Sequence, residues 1–267
     1  GQRFLREAKA ASRIGHPDIV DVTDFGQLAD GTAYLVMEFV EGISLAKAIR
    51  ARAPFASAQA VPIVERIASA LDAAHKKGIV HRDLKPDNVF LLPSYAGQEN
   101  IKIVDFGIAK VTSEGKKSSV NRLTEVGSVF GTPQYMAPEQ AEGRPDIDAR
   151  ADVYALGTIF YQMMVGRVPH NSDNPVSTLA MQLLDPIVPP RTARPDADLS
   201  PALELVILRA LAKKREQRTP SMSEFLEDIA RATGAATEKR ETLRGNGTSK
   251  KKTNSLVLGD TLTATPA

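Results

Sequence analysis

The stretch DVYALGTIFYQMMVG, residues 152–166, is apolar around almost its whole circumference when it is drawn as a helix. A helix that is apolar on nearly every face must be covered by protein on all sides or lie in a membrane. This stretch is shorter than the roughly 18 apolar residues that a membrane span requires. The sequence therefore predicts a buried helix, which in turn requires a sizeable core around it.

Composition and charge exclude several classes of protein. The 267 residues contain no cysteine, so a disulfide framework, a thiolate zinc site and a cysteine nucleophile are excluded. The formal net charge of +2 is too small to indicate a nucleic acid or an anionic membrane as partner. We find no membrane segment and no signal peptide pattern. We expect a soluble, cytoplasmic chain, and a membrane anchor beyond the tail stays open as an alternative.

Short runs of β-type residues predict two hairpins. The runs 19–28 and 32–40 are separated by Ala29, Asp30 and Gly31, which are typical of a hairpin turn. The runs NVFLL and IKIVDFG flank the polar turn PSYAGQEN and predict a second hairpin.

Helical periodicity dominates most of the remaining chain. From Ser44 onward the pattern turns helical. One apolar stripe predicts a helix that ends near Gly78. The start of that helix stays open, because Pro62 lies early in the pattern. Further helical patterns occupy 199–214 and 221–232. The long aperiodic stretch from Gly107 to Pro138 is typical of a functional or disordered loop. The polar tail, 234–267, predicts a disordered linker.

The stretch HRDLKPDNVFLL, residues 81–92, carries the most specific chemical signal. It is followed in order by DFG at 105–107, GTPQYMAPE at 131–139 and DVYALG at 152–157. With this ordered set, the chain resembles the eukaryotic-type protein kinases, and specifically their bacterial serine/threonine branch, from about residue 3 to residue 232. The resemblance implies an α+β, two-lobed fold with an incomplete N-terminal lobe in 1–40 and a mainly α-helical C-terminal lobe in 41–233.

The resemblance also implies the residues that act on the substrate. Asp83 would orient the substrate hydroxyl and accept its proton. Lys85 matches the family lysine that reaches the transferred phosphate. Asn88 and Asp105 supply hard oxygen ligands for Mg²⁺, which bridges the phosphates of ATP.

Four further residues match supporting positions of the family. His81 is expected to pack beneath the catalytic loop as a structural residue rather than as a base. Asp152 resembles the buried aspartate that holds this loop through backbone hydrogen bonds. Glu139 and Arg218 match an ion pair that ties the activation segment to the C-terminal helices.

The segment TAYLVMEFVEG resembles the adenine-binding hinge of the family. Met37 would lie at the back of the adenine pocket, the backbone from Glu38 to Val40 would face adenine, and Phe90 would form part of the pocket floor. The alternative for these residues is ordinary packing at the hinge.

The N-terminal helix pattern raises a question about Glu7, which shares an apolar stripe with Phe4, Ala11 and Ile14. Arg3 is one candidate partner for its carboxylate. The resemblance instead identifies Glu7 as the glutamate that pairs with a lysine of the small lobe. That lysine and the glycine-rich loop are missing, so we expect a truncated domain with weak nucleotide binding and little turnover.

The function implied by the resemblance is transfer of phosphate from ATP to Ser or Thr of protein substrates in signal transduction, with Mg²⁺. The motif LKPDN and Thr132 favour serine/threonine over tyrosine kinases. One alternative is a kinase-fold pseudoenzyme that acts as a binding or scaffold module, although Asp83, Lys85, Asn88 and Asp105 are intact. A small-molecule phosphotransferase of related fold is the other alternative. Such enzymes normally lack the GTPxYMAPE motif, so the sequence disfavours it.

The resemblance further implies a regulatory switch. Arg82 precedes the catalytic aspartate, and in the family such an arginine docks a phosphate on the activation loop. The candidate acceptors are Thr124, Ser128 and Thr132, of which we rank Thr124 first and Ser128 second. Thr132 resembles the threonine that contacts Asp83 and Lys85, so its hydroxyl is expected to be structural.

Overall fold

The computed structural model describes residues 14–93, 100–106 and 132–234. The predicted first helix with Glu7, the stretch with Thr124 and Ser128, and the tail lie outside the described residues. The described part combines two small antiparallel sheets with a larger helical body, which confirms the predicted α+β class. In chain order its elements are β1 (Val22–Gln27), β2 (Ala33–Met37), β3 (Ile43–Ser44), α1 (Leu45–Arg52), α2 (Ser57–His75), β4 (Val89–Leu91), β5 (Ile101–Ile103), α3 (Pro138–Ala141), α4 (Arg150–Val165), α5 (Pro175–Leu184), α6 (Pro190–Ala193), α7 (Pro201–Ala210) and α8 (Met222–Ala232).

The predicted buried helix is α4, and it forms the centre of the helical body. Its side chains are buried without interruption from Ala151 to Tyr161, and α2 and α7 pack against it. Helix α7 approaches so closely that a Cβ atom on Gly157 would lie 2.8 Å from the Cβ of Ala210. Gly166, with φ of 89°, ends the helix in the left-handed conformation that favours glycine.

Helix α2 carries the apolar stripe that the sequence predicts, with Ile63, Ile67 and Ala70 buried. The helix begins at Ser57 and runs through Pro62. A proline cannot donate the backbone hydrogen bond, so it costs one helical bond at this point. The cost is confined to the N-terminal turns, where the Pro62 ring lies on the exposed side.

Both predicted hairpins are present among the described strands. β1 and β2 pair antiparallel from Val22↔Met37 to Gln27↔Ala33, and β4 and β5 do the same. The two-residue strand β3 adds to the other edge of β4. The sequence did not predict β3, because two residues are too few to show an alternating pattern.

The segment before β1 attaches the first hairpin to the helical body. The backbone N–H of Val20 donates to Ile103 O at 3.0 Å, and the N–H of Ile103 donates to Asp18 O at 2.8 Å. The buried carboxylate of Asp18 forms an ion pair with Arg66 on α2. The segment is therefore held both by the edge of β5 and by a helix of the larger body.

Helices α7 and α8 correspond to the two predicted C-terminal patterns. Each begins after a serine cap, since Ser200 and Ser221 accept hydrogen bonds from backbone N–H groups of the first turn. Helix α5 was not predicted from the sequence, because two of its three buried residues, Thr178 and Gln182, are polar and leave no apolar stripe. Within the described residues, no helix is both long and apolar enough to cross a bilayer.

Candidate active site

The carboxylate of Asp152 organises the segment that precedes Asp83. Asp152 is 1% exposed in the first turn of α4. It accepts hydrogen bonds from the backbone N–H groups of His81 and Arg82, both at 2.8 Å, and lies 2.7 Å from Nε2 of His75. Burial by itself raises the pKa of Asp152, but the hydrogen bond and charge of His75, with the contacts to His81, outweigh it and hold the pKa below its usual value.

The His81 side chain is fully buried beneath the segment and joins two backbone groups. Its Nδ1 accepts from the N–H of Asp83 at 3.3 Å, and its Nε2 lies 3.2 Å from the carbonyl of Val104. Because an N–H only donates and a carbonyl only accepts, these partners assign the proton to Nε2. Burial lowers the pKa of His81, although nearby Asp152 and Asp83 act in the other direction. The ring is therefore neutral and serves as a fixed link rather than as a base.

Arg82 places a kink directly before Asp83. Its φ of 64° is uncommon for a residue other than glycine, and the structure holds it with several bonds. Asp152 accepts from its N–H, and Nε2 of Gln140 on α3 donates to its carbonyl at 2.8 Å. Such an over-determined strained residue is typical of functional sites.

The three residues predicted to act on the substrate lie together after this kink. Nζ of Lys85 lies 3.1 Å from Oδ2 of Asp83, and Nδ2 of Asn88 donates to the carbonyl of Asp83 at 3.0 Å. About a quarter of each charged side chain is exposed, 28% for Asp83 and 23% for Lys85. The carboxylate and the ammonium can therefore be reached from solvent while their backbone is held.

Asn88 and Asp105 have a donor chemistry that fits Mg²⁺. The N–H of Val104 donates to the carbonyl of Asn88 at 2.9 Å, so the residue before Asp105 is bonded directly to Asn88. The Asn88 amide nitrogen is used by Asp83, which leaves the amide oxygen as the end able to act as a ligand. Asp105 is exposed and has a φ of 59°. One carboxylate and one amide oxygen are ligands that Mg²⁺ takes together with phosphate oxygens.

Glu139 and Arg218 form a buried bidentate ion pair, with N–O distances of 2.7 and 3.0 Å. The Arg218 side chain is fully buried and also donates to the carbonyls of Ala212 and Arg150. Its guanidinium lies 5.1 Å from the ring centre of Tyr154 on α4. The pair connects α3, which begins within the GTPQYMAPE motif, to α4 and to the chain before α8.

The predicted hinge residues lie at the end of β2 and on β4. Met37 is 36% exposed and Val40 is half-buried. Phe90, also half-buried, pairs with Lys102 across β4 and β5. The backbone N–H of Glu38 donates to the carbonyl of Asp21 at 3.0 Å, so this donor is used inside the hairpin.

Sequence reasoning missed the partner of the Glu38 side chain. Its carboxylate forms an ion pair with Lys102 on β5 and accepts from the N–H of Asp21 at 2.9 Å. The hydrogen bond from Lys102 holds the pKa of Glu38 below its usual value. No local pattern could reveal this pair, because its members are far apart in the chain.

Gln182 on α5 is a second residue that the sequence did not indicate. It is 1% exposed, and its amide nitrogen donates to the carbonyls of Pro133 and Gln134 at 3.1 and 2.7 Å. Its amide oxygen accepts from the hydroxyl of Tyr154 at 2.5 Å. The amide therefore holds the turn Pro133–Tyr135, next to Thr132, against α4 and α5.

Thr132 lines the same small cavity as Asp83 and Lys85. The structure therefore places it next to the two residues that the resemblance assigns to it. Glu7, Thr124 and Ser128 lie outside the described residues.

The chain is similar in sequence to known proteins. A family model described as "Protein kinase domain" matches residues 1–229. The serine/threonine-protein kinase pkn3 of Myxococcus xanthus is 44% identical over 227 residues, which cover 85% of this chain and 41% of that protein. The serine/threonine-protein kinase PknB of Mycolicibacterium smegmatis is 37% identical over 232 residues, which cover 86% of this chain and 35% of that protein. The chain thus spans less than half the length of these curated relatives.

The fold is similar to solved kinase structures. The PknI kinase domain of Mycobacterium tuberculosis, as a double mutant, matches with a TM-score of 0.65 and 30% identity over 86% of this chain and 78% of that chain. Rad53 in complex with AMP-PNP matches with a TM-score of 0.67 over 86% of this chain and 54% of that chain, at 23% identity, and supports the fold alone. The predicted kinase-like fold and the resemblance to bacterial serine/threonine kinases are confirmed.

Loss of one partner of the buried ion pair should destabilise the protein strongly. In the Arg218→Met variant, Glu139 stays buried without its cation, and we expect a loss of about 3–5 kcal/mol in the free energy of unfolding. Urea unfolding of the 267-residue chain measures this. The matched control is Arg144→Met, which removes the exposed partner of Asp146 and should change the stability far less. Equal losses in the two variants would contradict the structural role of the pair.

His170 should make stability depend on pH. Burial, followed by the charge of Lys213, lowers the pKa of His170 from its usual 6.5 to about 4. Between these values the unfolded chain binds a proton that the folded chain does not, so stability should fall as the pH decreases from 6.5 towards 4. The His170→Gln variant keeps an acceptor for Nζ of Lys213, 3.0 Å from the imidazole, and should show a smaller slope. Identical slopes in urea unfolding of both proteins would refute this assignment.

Proposed function

We propose that this chain, which belongs to the protein kinase domain family, transfers the γ-phosphate of ATP to Ser or Thr hydroxyls of proteins in signal transduction. Relatives of the chain are named serine/threonine-protein kinases. The observation that carries the proposal is the partly exposed Asp83–Lys85 pair on a backbone held by Asp152. Asn88, which with Asp105 would hold the metal ion in this proposal, donates to the carbonyl of Asp83.

Asp83 performs the proton chemistry in this proposal. The substrate hydroxyl lies at its carboxylate, which orients the oxygen for attack and takes the proton. The bond from this oxygen to the γ-phosphorus forms as the bond between that phosphorus and ADP breaks, and ADP leaves. A neutral, buried His81 cannot serve as this base, since both of its ring nitrogens are engaged. The proton therefore goes to Asp83.

In this proposal, Lys85 and the metal ligands neutralise the negative charge of the phosphate groups. Nζ of Lys85 lies close enough to Asp83 to contact both the acceptor and the phosphate that it receives. Asn88 and Asp105 would hold Mg²⁺, and the bound ion would supply neutralisation of the phosphate charge. Met37, Glu38, Val40 and Phe90 are proposed to contact the adenine ring.

The proposed domain limits are 1–40 for the N-lobe part, 41–233 for the C-lobe and 234–267 for a linker. The backbone hydrogen bonds from Val20 to Ile103 and from Ile103 to Asp18 join the first two. The second candidate is a pseudoenzyme that acts as a scaffold. It predicts that replacement of Asp83 leaves the measured phosphate transfer unchanged.

Replacement of Asp83 by asparagine tests the proposal. The amide cannot take the hydroxyl proton, so phosphate transfer by the full-length protein to a mixed set of Ser and Thr peptides should fall by about 10²- to 10⁴-fold. The matched control is Asp173→Asn, an exposed aspartate in the loop before α5, which should keep full activity. Retained transfer in Asp83→Asn would falsify the assignment.

We also propose that Arg82 binds a phosphate on Thr124 or Ser128 and so switches activity. Arg82 is half-buried and directly precedes Asp83. A phosphate bound to its side chain would therefore act on the backbone that holds Asp83. Phosphosite mapping of active full-length protein should find Thr124 first and Ser128 second, and neither in Asp83→Asn. A fully active protein without phosphate on either residue would rule out this switch.

A further inference from the structure

A groove of about 610 Å³ opens beside the active site. Thr132 and Tyr135 line both this groove and the small cavity that contains Asp83 and Lys85. Its other walls come from α1, from the end of α4 with the loop that follows it, and from α5. A segment of a protein whose hydroxyl lies at Asp83 would therefore continue into the groove.

The floor of the groove is built from polar groups that are paired with one another. The hydroxyl of Tyr135 donates to Oε1 of Gln162 at 2.7 Å, and Nε2 of Gln134 donates to Oδ1 of Asn171 at 3.0 Å. Gln182 holds the backbone of the same turn from behind. The floor is thus preformed and uncharged, so charge selection must come from the walls.

Three charged side chains line the groove: Arg50, Arg167 and Asp87. All three are exposed. Among the described residues, neither arginine has a carboxylate within ion-pair distance, in contrast to the paired arginines elsewhere in the body. The lining therefore carries one net positive charge.

The positive charge is not spread evenly along the groove. Burial is the main reason why the pKa of Tyr135 lies above its usual value; Asp87 raises it further and Arg50 lowers it. Arg50 and Asp87 thus act on the same hydroxyl with opposite signs. Arg167 instead lies near Tyr161, where its charge opposes the effect of burial on the pKa. Asp87 therefore offsets the charge of Arg50 at Tyr135, whereas no carboxylate of the groove lining offsets the charge of Arg167 at Tyr161.

We propose that this groove selects substrate segments that carry Asp or Glu side chains close to the acceptor Ser or Thr. The proposal rests on the proposed function, because Asp83 defines where the acceptor lies. A carboxylate at the Arg167 end forms an ion pair, whereas a lysine there meets an unpaired cation. Selectivity comes from both the attraction and the repulsion.

Peptide binding to the 267-residue chain tests the charge preference without any need for turnover. Three fluorescein-labelled peptides of equal length carry a central Ser flanked on both sides by Glu, by Gln or by Lys. At low salt, fluorescence anisotropy should show the Glu peptide binding about three- to fivefold more tightly than the Gln peptide, with the Lys peptide weakest. The differences should shrink as salt is added. Equal affinities, tightest binding of the Lys peptide, or no binding at all would overturn the proposal.

Single substitutions locate the preference in the groove. Arg167→Gln should reduce the affinity for the Glu peptide to that for the Gln peptide and leave the latter unchanged. Asp87→Asn should increase the affinity for the Glu peptide. Lys214→Gln removes the same charge from an exposed position outside the groove and should have no effect. A loss in Lys214→Gln equal to that in Arg167→Gln would show a general effect of net charge and refute the proposal.

Phosphate transfer to the same peptides separates the two proposals. If the full-length protein phosphorylates the Lys peptide in preference to the Glu peptide, the groove proposal fails and the proposed function stands. If the Glu peptide binds most tightly but no peptide receives phosphate, the proposed function fails and only the preference of the groove for acidic peptides stands.

Discussion

The hydrogen bonds of the Asp152 carboxylate are the constraint on which the site depends. A buried carboxylate is costly unless several donors satisfy it, and here His75 and two backbone N–H groups do so. The donors come from α2 and from the segment before Asp83, while the acceptor lies on the most deeply buried helix. The hydrogen bonds that satisfy this one buried charge thus hold the backbone before Asp83 against the core.

The same helix also positions the turn Pro133–Tyr135 and the Glu139 ion pair. Tyr154, two residues after Asp152, donates to the buried amide of Gln182 and lies under the guanidinium of Arg218. Through these two contacts α4 holds the turn next to Thr132 and the Glu139 ion pair. A displacement of α4 would therefore move both Asp83, the proposed proton acceptor, and the turn Pro133–Tyr135, so the close packing at Gly157 affects the candidate site as well as stability.

Sequence patterns predicted the elements whose signal is local. The all-apolar pattern of α4, the stripe of α2 and the two hairpins each repeat over several residues, and the motif HRDLKPDN identified the residues that surround Asp83. What the sequence did not reveal depends on distant partners. Gln182 and Lys102 look like ordinary polar residues until the fold brings them to buried carbonyls and to Glu38. The left-handed backbone of Arg82 is likewise imposed by Asp152 and Gln140 rather than by its own residue type.

Buried charges and the exposed charges of the groove differ in whether they are paired. Buried charges such as Asp18, Glu139 and Arg218 have oppositely charged partners, because the interior does not tolerate an isolated ion. A charge that water solvates needs no such partner. In the groove, Arg167 is exposed, and no carboxylate of the described residues pairs with it. An exposed arginine that the fold does not need for its own stability is free to change without unfolding the protein. Under the proposed function, the groove walls would determine which substrate binds, while the paired interior would hold the catalytic residues in place.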